Sequence, residues 1–316
     1  MSEGRTLSAG GRYGVSPAER SIEEMLDTSI IIIDKPSGPT SHQVTAWVAK
    51  MAGVEKAGHA GTLDPAVTGV LPVALGRSAR ALDGMNYLTK SYVGIIRFHG
   101  DVPRGQLEEI LPRFTGKIFQ VPPVRSAVKR ERRVREIRSF TIGEQKERLF
   151  LFSVECQSGT YIRTLCKDVG TAMCAGAQME ELRRTRSGPF GEEMAVTMQK
   201  LQDAIHYWKS GDASMLRSLL IPYENLLRSF PVIELKDSAV DSICHGANLT
   251  VKGVNRVAGT IKRGGVVSLF TGKGEGVAMA NALMSSENIE NAASGVACDT
   301  IRVFMKPGTY PRFRKI

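Results

Sequence analysis

The alternation of apolar and polar positions divides the chain into parts of different texture. Residues 1–27 are polar and glycine-rich and then acidic, which predicts an extended N-terminal arm. Residues 28–228 mix helical and strand-like periods, whereas residues 229–308 contain short apolar runs separated by glycines. We therefore expect an α+β domain, a smaller β-domain and a C-terminal tail at 309–316.

Individual elements of the first domain follow from the same pattern. Thr40 and Ser41 are N-cap residues for a helix that carries Val44, Trp47, Val48 and Met51 on one face. Further helices are expected at 170–182 and 201–208. The expected strands lie at 30–33, 92–98 and 149–154.

The second domain shows short strand-like segments at fairly regular spacing. Such spacing, with glycines between the segments, is typical of a small barrel or sandwich. The expected strands lie at 232–235, 247–251, 266–270, 276–280 and 300–304.

Composition restricts the functional classes. The chain has 316 residues, which favours two domains, and 42 basic against 32 acidic residues give 42 − 32 = +10. This charge favours a polyanionic partner or an acidic membrane surface. The longest aliphatic run, 30–33, is far too short to cross a bilayer, and the N-terminus lacks a secretion signal, so an intracellular protein is expected. Five cysteines without a C-x-x-C pair indicate neither disulfides nor a zinc site.

The segment GHAGTLDPAVTGVLP at 58–72 is the strongest candidate for chemistry. Asp64 precedes Pro65, and a residue before proline is displaced from the helical region, so the carboxylate should project from a rigid turn. The alternative for an isolated Asp-Pro is an ordinary turn between two strands.

A second candidate is the basic segment 125–138, which holds seven basic residues against two acidic ones. A run of charge is often only a solvated surface. Because this segment lies inside the first domain, we expect a mobile loop that grips phosphates. The residues expected to contact RNA here are Arg125, Lys129, Arg130, Arg132, Arg133 and Arg135.

Several separated motifs resemble those of the TruB family of pseudouridine synthases, and most of all its archaeal dyskerin-type branch. Besides 58–72 they are DKPSGPTS at 34–41, KSYV at 90–93, GTYIRTL at 159–165 and ELRRTRSGPF at 181–190. The resemblance covers nearly all of 28–228 and implies a catalytic domain with a central mixed or antiparallel sheet flanked by helices. It also implies chemistry that needs neither metal nor cofactor.

The second domain resembles a PUA domain, an RNA-binding module, through HGA at 245–247 and GTIKRGGVV at 259–267. The resemblance implies that Lys262 and Arg263 contact RNA and that the arm at 1–27 packs on this domain. Such domains usually have Pro-Gly-Val where this chain has KGV at 252–254, and Gly-Asp where it has Gly264-Gly265. These departures weaken the expectation of detailed contacts at that loop.

The resemblance implies three catalytic residues. Asp64 would be the nucleophile or base, and Arg163 would pair with it, since a nearby arginine lowers a carboxylate pKa by ~1–3 units. Tyr92 would stack on the base and accept or relay the proton of uridine C5. Without the resemblance, a tyrosine at the position of Tyr92 is more often a half-buried core aromatic, and Arg163 could equally be a surface RNA contact.

The resemblance also implies residues that contact the substrate. Ile162 and Leu182 would wall a dry pocket, Lys35 would brace the catalytic loop, and Tyr161 lies in the same motif as Ile162. His59 would help to extrude the uridine, with a structural loop histidine as the alternative. Arg183 and Arg184 are added to the expected RNA contacts.

Three functional hypotheses follow. The first is the catalytic subunit of an H/ACA guide RNA ribonucleoprotein acting on rRNA or tRNA, with a zinc-binding small subunit, a glycine-arginine-domain protein and a kink-turn-binding ribosomal-type protein. The second is a stand-alone tRNA enzyme for the T-loop uridine, and the third is a non-catalytic RNA-binding scaffold. A glycosidase is weaker, because it needs two carboxylates about 5–10 Å apart. The chain lacks the lysine-rich tails of nuclear relatives, which favours an archaeal cytoplasm.

Overall fold

The computed structural model describes residues 13–121 and 131–312, which contain two β-sheets with helices packed on them. None of the helices in these ranges is long and apolar enough to cross a membrane. The helices are α1 Ile22–Thr28, α2 Ser41–Ala52, α3 Arg104–Ile110, α4 Ile162–Ala172, α5 Met198–Lys209, α6 Ser214–Leu219, α7 Glu224–Leu227, α8 Asp237–Cys244 and α9 Ser286–Asn291.

The first sheet contains ten of the described strands, eight of them in the spatial order β10-β1-β3-β8-β4-β7-β6-β5, with β2 paired to β3 and β9 to β8. Among its described strands only β3 and β8 pair in parallel, so the sheet is mixed, as expected. The strands are β1 Ser29–Lys35, β2 Ala57–His59, β3 Thr68–Leu75, β4 Thr89–Phe98, β5 Gly116–Gln120, β6 Arg133–Lys146, β7 Leu149–Gln157, β8 Ala177–Ser187, β9 Phe190–Gly191 and β10 Ile221–Pro222.

The second sheet has the order β12-β16-β15-β14-β11-β13. The expected strands are all present with shifted ends, while β13, α8 and α9 were not expected. The strands are β11 Val232–Leu235, β12 Leu249–Thr250, β13 Val254–Ala258, β14 Val266–Phe270, β15 Gly276–Ala282 and β16 Val296–Val303.

Helix α2 forms as its sequence predicts. The Thr40 hydroxyl accepts a hydrogen bond from the Gln43 main-chain amide, and the Gln43 side chain accepts one from the Thr40 main-chain amide, which completes a capping box. Gly53, in the left-handed region, ends the helix. Val44 and Val48 are fully buried, but Trp47 is exposed, so the apolar face is narrower than expected.

The expected helix at 170–182 is wrong. Helix α4 ends at Ala172, and a tight turn at Gly176 (φ 63°) leads into strand β8. An added Cβ on Gly170 would lie 2.1 Å from the Ala177 nitrogen, so the helix end and the strand start can approach only through a glycine. Strand β8 then pairs with both β3 and β4, and this tertiary pairing overrides the helical propensity of its sequence.

The arm expected at 1–27 is not wholly extended, because α1 occupies its last part with a capping box between Ser21 and Glu24. Residues 1–12 lie outside the described residues. The described part contacts the second domain: the Val15 amide donates to Glu275 at 3.1 Å, and the Lys273 ammonium donates to the Gly14 carbonyl at 3.0 Å.

The two sheets share an apolar cluster. Ile30 and Ile32 of β1 belong to the same buried cluster as Phe230, Phe270 and Met279. Burial of this kind stabilises the contact by roughly 25 cal/mol for each Å² of apolar surface removed from water. The smaller sheet is therefore attached to the larger one through packed side chains.

Candidate active site

The loop between β2 and β3 presents Asp64. The Val67 amide donates to the Asp64 carbonyl at 3.0 Å, which closes a turn around Pro65. The Asp64 side chain is 45% exposed and lies at one side of a cavity. The proline and the closed turn thus hold the carboxylate away from the core.

Lys35 holds this loop in place through hydrogen bonds to its main chain. Its side chain is fully buried, and its ammonium group donates to the carbonyl oxygens of Pro36 at 2.9 Å, Pro65 at 3.0 Å and Val67 at 2.9 Å. Burial is the main cause that lowers the Lys35 pKa, and the nearby Asp64 charge opposes it. All three donors of the ammonium group have partners, so Lys35 positions the loop.

Ser41 holds the residue before Asp64. Its hydroxyl accepts from the Leu63 amide at 2.8 Å and donates to the Leu63 carbonyl at 3.0 Å. The Gly38 amide donates to Pro65 at 2.9 Å on the other side of Asp64. The 34–41 motif therefore supports the aspartate loop through its side chains and its main chain.

Arg163 forms an ion pair with Asp64. Its Nε lies 3.0 Å from Asp64 Oδ2 and its Nη2 lies 3.5 Å from Oδ1, and both side chains are nearly half exposed. Arg163 lies in the first turn of α4, next to Tyr161, whose amide and carbonyl are both bonded to the Gln120 side chain. The arginine expected to pair with the aspartate is brought to it.

The cavity beside Asp64 has a volume of about 510 Å³. It is large enough for a nucleoside, and most of the expected site residues contribute to its wall. Its apolar wall contains Leu63, Val67, Ile162 and Leu182. Of the expected residues, those in the lining are Asp64, Tyr92, Tyr161, Ile162, Arg163 and Leu182.

Tyr92 lies in β4 and is almost wholly buried. Burial is the largest cause that raises the Tyr92 pKa, and the positive charge of Arg184 opposes it. The phenol is thus neutral at neutral pH. Its ring packs in the core while its edge lines the cavity, so the core and substrate interpretations of Tyr92 are compatible.

His59 stands behind the loop, outside the cavity lining. Its Nδ1 lies 2.9 Å from the Thr45 hydroxyl, and its ring packs edge to face with the His42 ring, with centroids 4.7 Å apart. Burial, followed by the charges of His42 and Arg184, lowers the His59 pKa to about 4. His59 is therefore neutral at physiological pH, and His42, which was not expected, occupies the cavity wall in front of it.

The expectation that Arg184 contacts RNA is wrong. Arg184 has 0% exposure, and its guanidinium donates to the carbonyls of Val70 and Gly61, each at 2.7 Å. Its neighbour Arg183 alternates to the other face of β8, where it is partly exposed and pairs with Asp34 at 2.9 Å. Successive side chains of a strand point to opposite faces, so these two adjacent arginines have different surroundings although the same motif contains both.

The residues expected to bind phosphates lie in different parts of the structure. Arg125, Lys129 and Arg130 lie outside the described residues. The segment 133–138 is not a loop, since it begins β6. Arg132 lies over the Phe119 ring at 3.9 Å, Arg133 starts β6, and Arg135 donates to the Gly159 carbonyl at 3.1 Å. In the second domain, Lys262 and Arg263 are exposed between β13 and β14.

Lys90 is a site residue that the sequence analysis did not select. It is only 5% exposed, it lines the cavity, and its ammonium group donates to the Ser158 hydroxyl at 3.0 Å. A signal was present, because Lys90 and Tyr92 are two positions apart in one strand and so share a face.

Comparison with known proteins agrees with this geometry. Residues 49–106 and 100–162 match the N-terminal domain of TruB family pseudouridylate synthases, and residues 163–228 match the C-terminal domain of tRNA pseudouridylate synthase B. Residues 231–304 match the PUA domain and residues 7–45 the DKCLD domain.

Full-length relatives are similar over nearly the whole chain. A probable tRNA pseudouridine synthase B of Methanopyrus kandleri is 49% identical over 95% of this chain and 89% of its own length. The protein of the same description from Archaeoglobus fulgidus is 46% identical over 96% of this chain and 94% of its own length.

Solved structures are similar to the same extent. A Cbf5-Nop10-Gar1 complex contains a chain that is 42% identical, with a TM-score of 0.91, covering 97% of this chain and 94% of that one. An H/ACA RNP bound to a substrate RNA containing 2′-deoxyuridine contains one that is 40% identical, with a TM-score of 0.88, covering 97% and 94%. The chain, with its paired Asp64 and Arg163 beside a buried Tyr92, belongs to the TruB family of pseudouridine synthases, which are RNA isomerases.

Proposed function

We propose that this chain is the catalytic subunit of an H/ACA guide RNA ribonucleoprotein that isomerises uridine to pseudouridine in rRNA and tRNA. The observation that carries the proposal is the Asp64–Arg163 ion pair at a cavity whose wall contains Tyr92, Ile162 and Leu182. The isomerisation can use an ionised carboxylate, a cation that orients it and an apolar wall that excludes water.

The reaction breaks the bond between ribose C1′ and uracil N1 and joins C1′ to C5, with loss of the C5 proton and protonation of N1. Asp64 attacks C1′, attacks C6 of the base, or removes a ribose proton, and all three routes require an ionised carboxylate. Arg163 orients the carboxylate, because its guanidinium contacts both carboxylate oxygens.

The other residues keep the detached base in place. Leu182 and Ile162 are buried in the wall and exclude water from the reacting centre. Tyr92 offers a ring for stacking and a hydroxyl for the C5 proton. Lys35 keeps the Asp64 loop rigid, so that the carboxylate needs little reorganisation when the base is bound.

The proposed partners are a guide RNA, a substrate RNA, the zinc-binding small subunit, the glycine-arginine-domain protein and the kink-turn-binding ribosomal-type protein. Support comes from the similar chains, which were solved with Nop10, with Gar1 and with a substrate RNA. The net charge of +10 and the exposed Lys262 and Arg263 suit RNA contacts. Because the relatives are archaeal, we place the activity in the cytoplasm.

A stand-alone activity on the T-loop uridine of tRNA is a second candidate, favoured by the names of the curated relatives. The two activities use the same site and can coexist. They differ in what selects the uridine, which is a paired guide in the first case and the folded tRNA in the second.

Tritium release from RNA labelled at uridine C5 tests both candidates. We expect release from a guide-paired target with the accessory proteins present, and no release with Asp64→Asn. Asp101→Asn is the matched control, because it also removes a carboxylate from an exposed ion pair, with Arg148 at 2.7 Å, outside the cavity lining. Release from bare tRNA would establish the second activity, and wild-type release by Asp64→Asn would refute the catalytic assignment.

A further inference from the structure

Two buried cations meet beside the cavity. An added Cβ on Gly61 would lie 2.3 Å from the Lys90 ammonium nitrogen and 3.0 Å from Arg184 Nη1. Both cationic groups therefore pack against the main chain at Gly61. Lys90 is 5% exposed and Arg184 is 0% exposed. Lys90 and Gly61 both line the cavity, whereas Arg184 lies behind them.

These cations have no counter-charge within the residues that the structure describes. Neither Lys90 nor Arg184 lies within 4.0 Å of a carboxylate in the described ranges, and Arg184 Nη2 has no hydrogen-bond partner there. A buried charge without a counter-charge is costly, and such a group beside a cavity is a candidate for action on a ligand. The inner wall of the cavity is therefore positive.

Lys90 also has donors to spare. Its ammonium group donates only to Ser158 among the described residues, whereas the buried Lys35 donates to three carbonyls. An ammonium group has three N–H donors, so two of those on Lys90 remain for a molecule in the cavity. The hydrogen bonds of Lys35 are those of a structural lysine, whereas Lys90 still has N–H donors with which to bind a ligand.

We propose that Lys90 is a further catalytic residue, whose ammonium group donates hydrogen bonds to a carbonyl oxygen of the uracil while the base is detached from the ribose. The inference deepens the proposed function and rests on it. It assigns the positive wall to the carbonyl oxygens of the uracil.

The electron balance of the reaction explains why a cation is needed there. When the C1′–N1 bond breaks, its electron pair moves to the base, and the negative charge is shared among N1, O2 and O4. The ring then supplies the pair that forms the C1′–C5 bond, the C5 proton leaves, and N1 gains a proton. Lys90 keeps its own proton throughout and only stabilises the anion.

Such stabilisation accelerates the reaction because it is stronger in the transition state than in the bound substrate. The carbonyl of intact uridine carries a small partial charge, whereas the detached base carries a full one. Burial, and then the charge of Arg184, lower the Lys90 pKa to about 8, so the ammonium form still predominates at neutral pH.

The test combines a lysine variant with altered bases. We expect Lys90→Met to lower the single-turnover rate by ~100-fold, a loss typical for removal of one donor to a developing anion, while the RNA Kd stays within about threefold. In target RNA with sulfur at C2 or at C4 of the uridine, the contacted carbonyl becomes a poorer acceptor. The wild type should therefore slow at one of the two positions by a factor that Lys90→Met does not show.

The outcomes separate the possible failures. If the wild type is as inactive as Asp64→Asn, the proposed function falls and the inference with it. If the wild type is active and Lys90→Met is nearly as fast, or if both enzymes show the same sulfur effect, only the Lys90 inference is overturned. Lys90→Gln, which keeps a donor but loses the charge, should lie between the two in rate, and it carries the same test if the Met variant does not fold.

Discussion

Arg163 and Asp64 form an ion pair that joins the first turn of helix α4 to the loop before β3, with Nε and Oδ2 3.0 Å apart. They are 99 residues apart in the chain. Because both side chains are nearly half exposed, the pair contributes at most ~1 kcal/mol to folding. Its geometry therefore serves the reaction more than the stability of the fold.

Arg163→Lys tests this conclusion. The variant keeps the positive charge but cannot contact both carboxylate oxygens from a planar fork, so we expect the single-turnover rate to fall by ~10–100-fold. The melting temperature should change little. Arg148→Lys is the control, since Arg148 forms a similar exposed pair with Asp101 outside the cavity lining. Equal rates for the wild type and Arg163→Lys would show that charge alone suffices.

Lys35→Met should act on both stability and rate. The change removes the ammonium donor from the carbonyls of Pro36, Pro65 and Val67, of which Val67 is buried, and a buried acceptor left unsatisfied costs ~1–3 kcal/mol. We expect a melting temperature that is lower by several degrees and a large loss of rate, because the Asp64 loop is released. Lys56→Met, which alters an exposed lysine near β2, should change neither.

The contrast between Lys35 and Lys90 shows where sequence-based prediction stops. Both lysines lie in strands and in motifs of the sequence, yet the sequence predicts a role for Lys35 alone. The difference lies in partners, because Lys35 meets three carbonyls and Lys90 meets one hydroxyl. Apart from Pro36, these partners come from loops distant in the sequence, so no local pattern records them.

The fold shows the same division. The strand at 30–33 and the Thr40 cap were predictable, because local propensity and tertiary packing agree there. The end of α4 and the start of β8 were not, since pairing with β3 and β4 decides them. The burial of Arg184 likewise depends on which face of β8 meets the core.

Gly69→Ala should be among the most damaging small changes in the site. Gly69 has φ 98°, and an added Cβ would lie 2.2 Å from the Arg184 carbonyl oxygen, where β3 and β8 pair in parallel. The variant must therefore separate the two strands as well as bear backbone strain. Gly53→Ala is a matched control, because Gly53 also has a positive φ but open space around it, so strain of ~1–2 kcal/mol is its only cost. Similar melting temperatures for the two variants would contradict the close approach of the strands.

The half-buried imidazole of His59 makes stability depend on pH in the acid range. Its pKa is about 4 in the folded protein and near 6.5 in an unfolded chain, so the unfolded chain binds the extra proton between these values. The neutral ring therefore stabilises the fold above pH 6.5, and this contribution is lost as the pH falls towards 4. We expect the wild type to lose ~1–2 kcal/mol of unfolding free energy over this range from His59 alone, after allowance for solvent screening.

His59→Gln should lose less unfolding free energy, because it has no proton to take up. His206→Gln, which alters an exposed histidine of α5, should follow the wild-type curve. Parallel curves of unfolding free energy against pH for the wild type and His59→Gln would mean that His59 is not held neutral behind the catalytic loop.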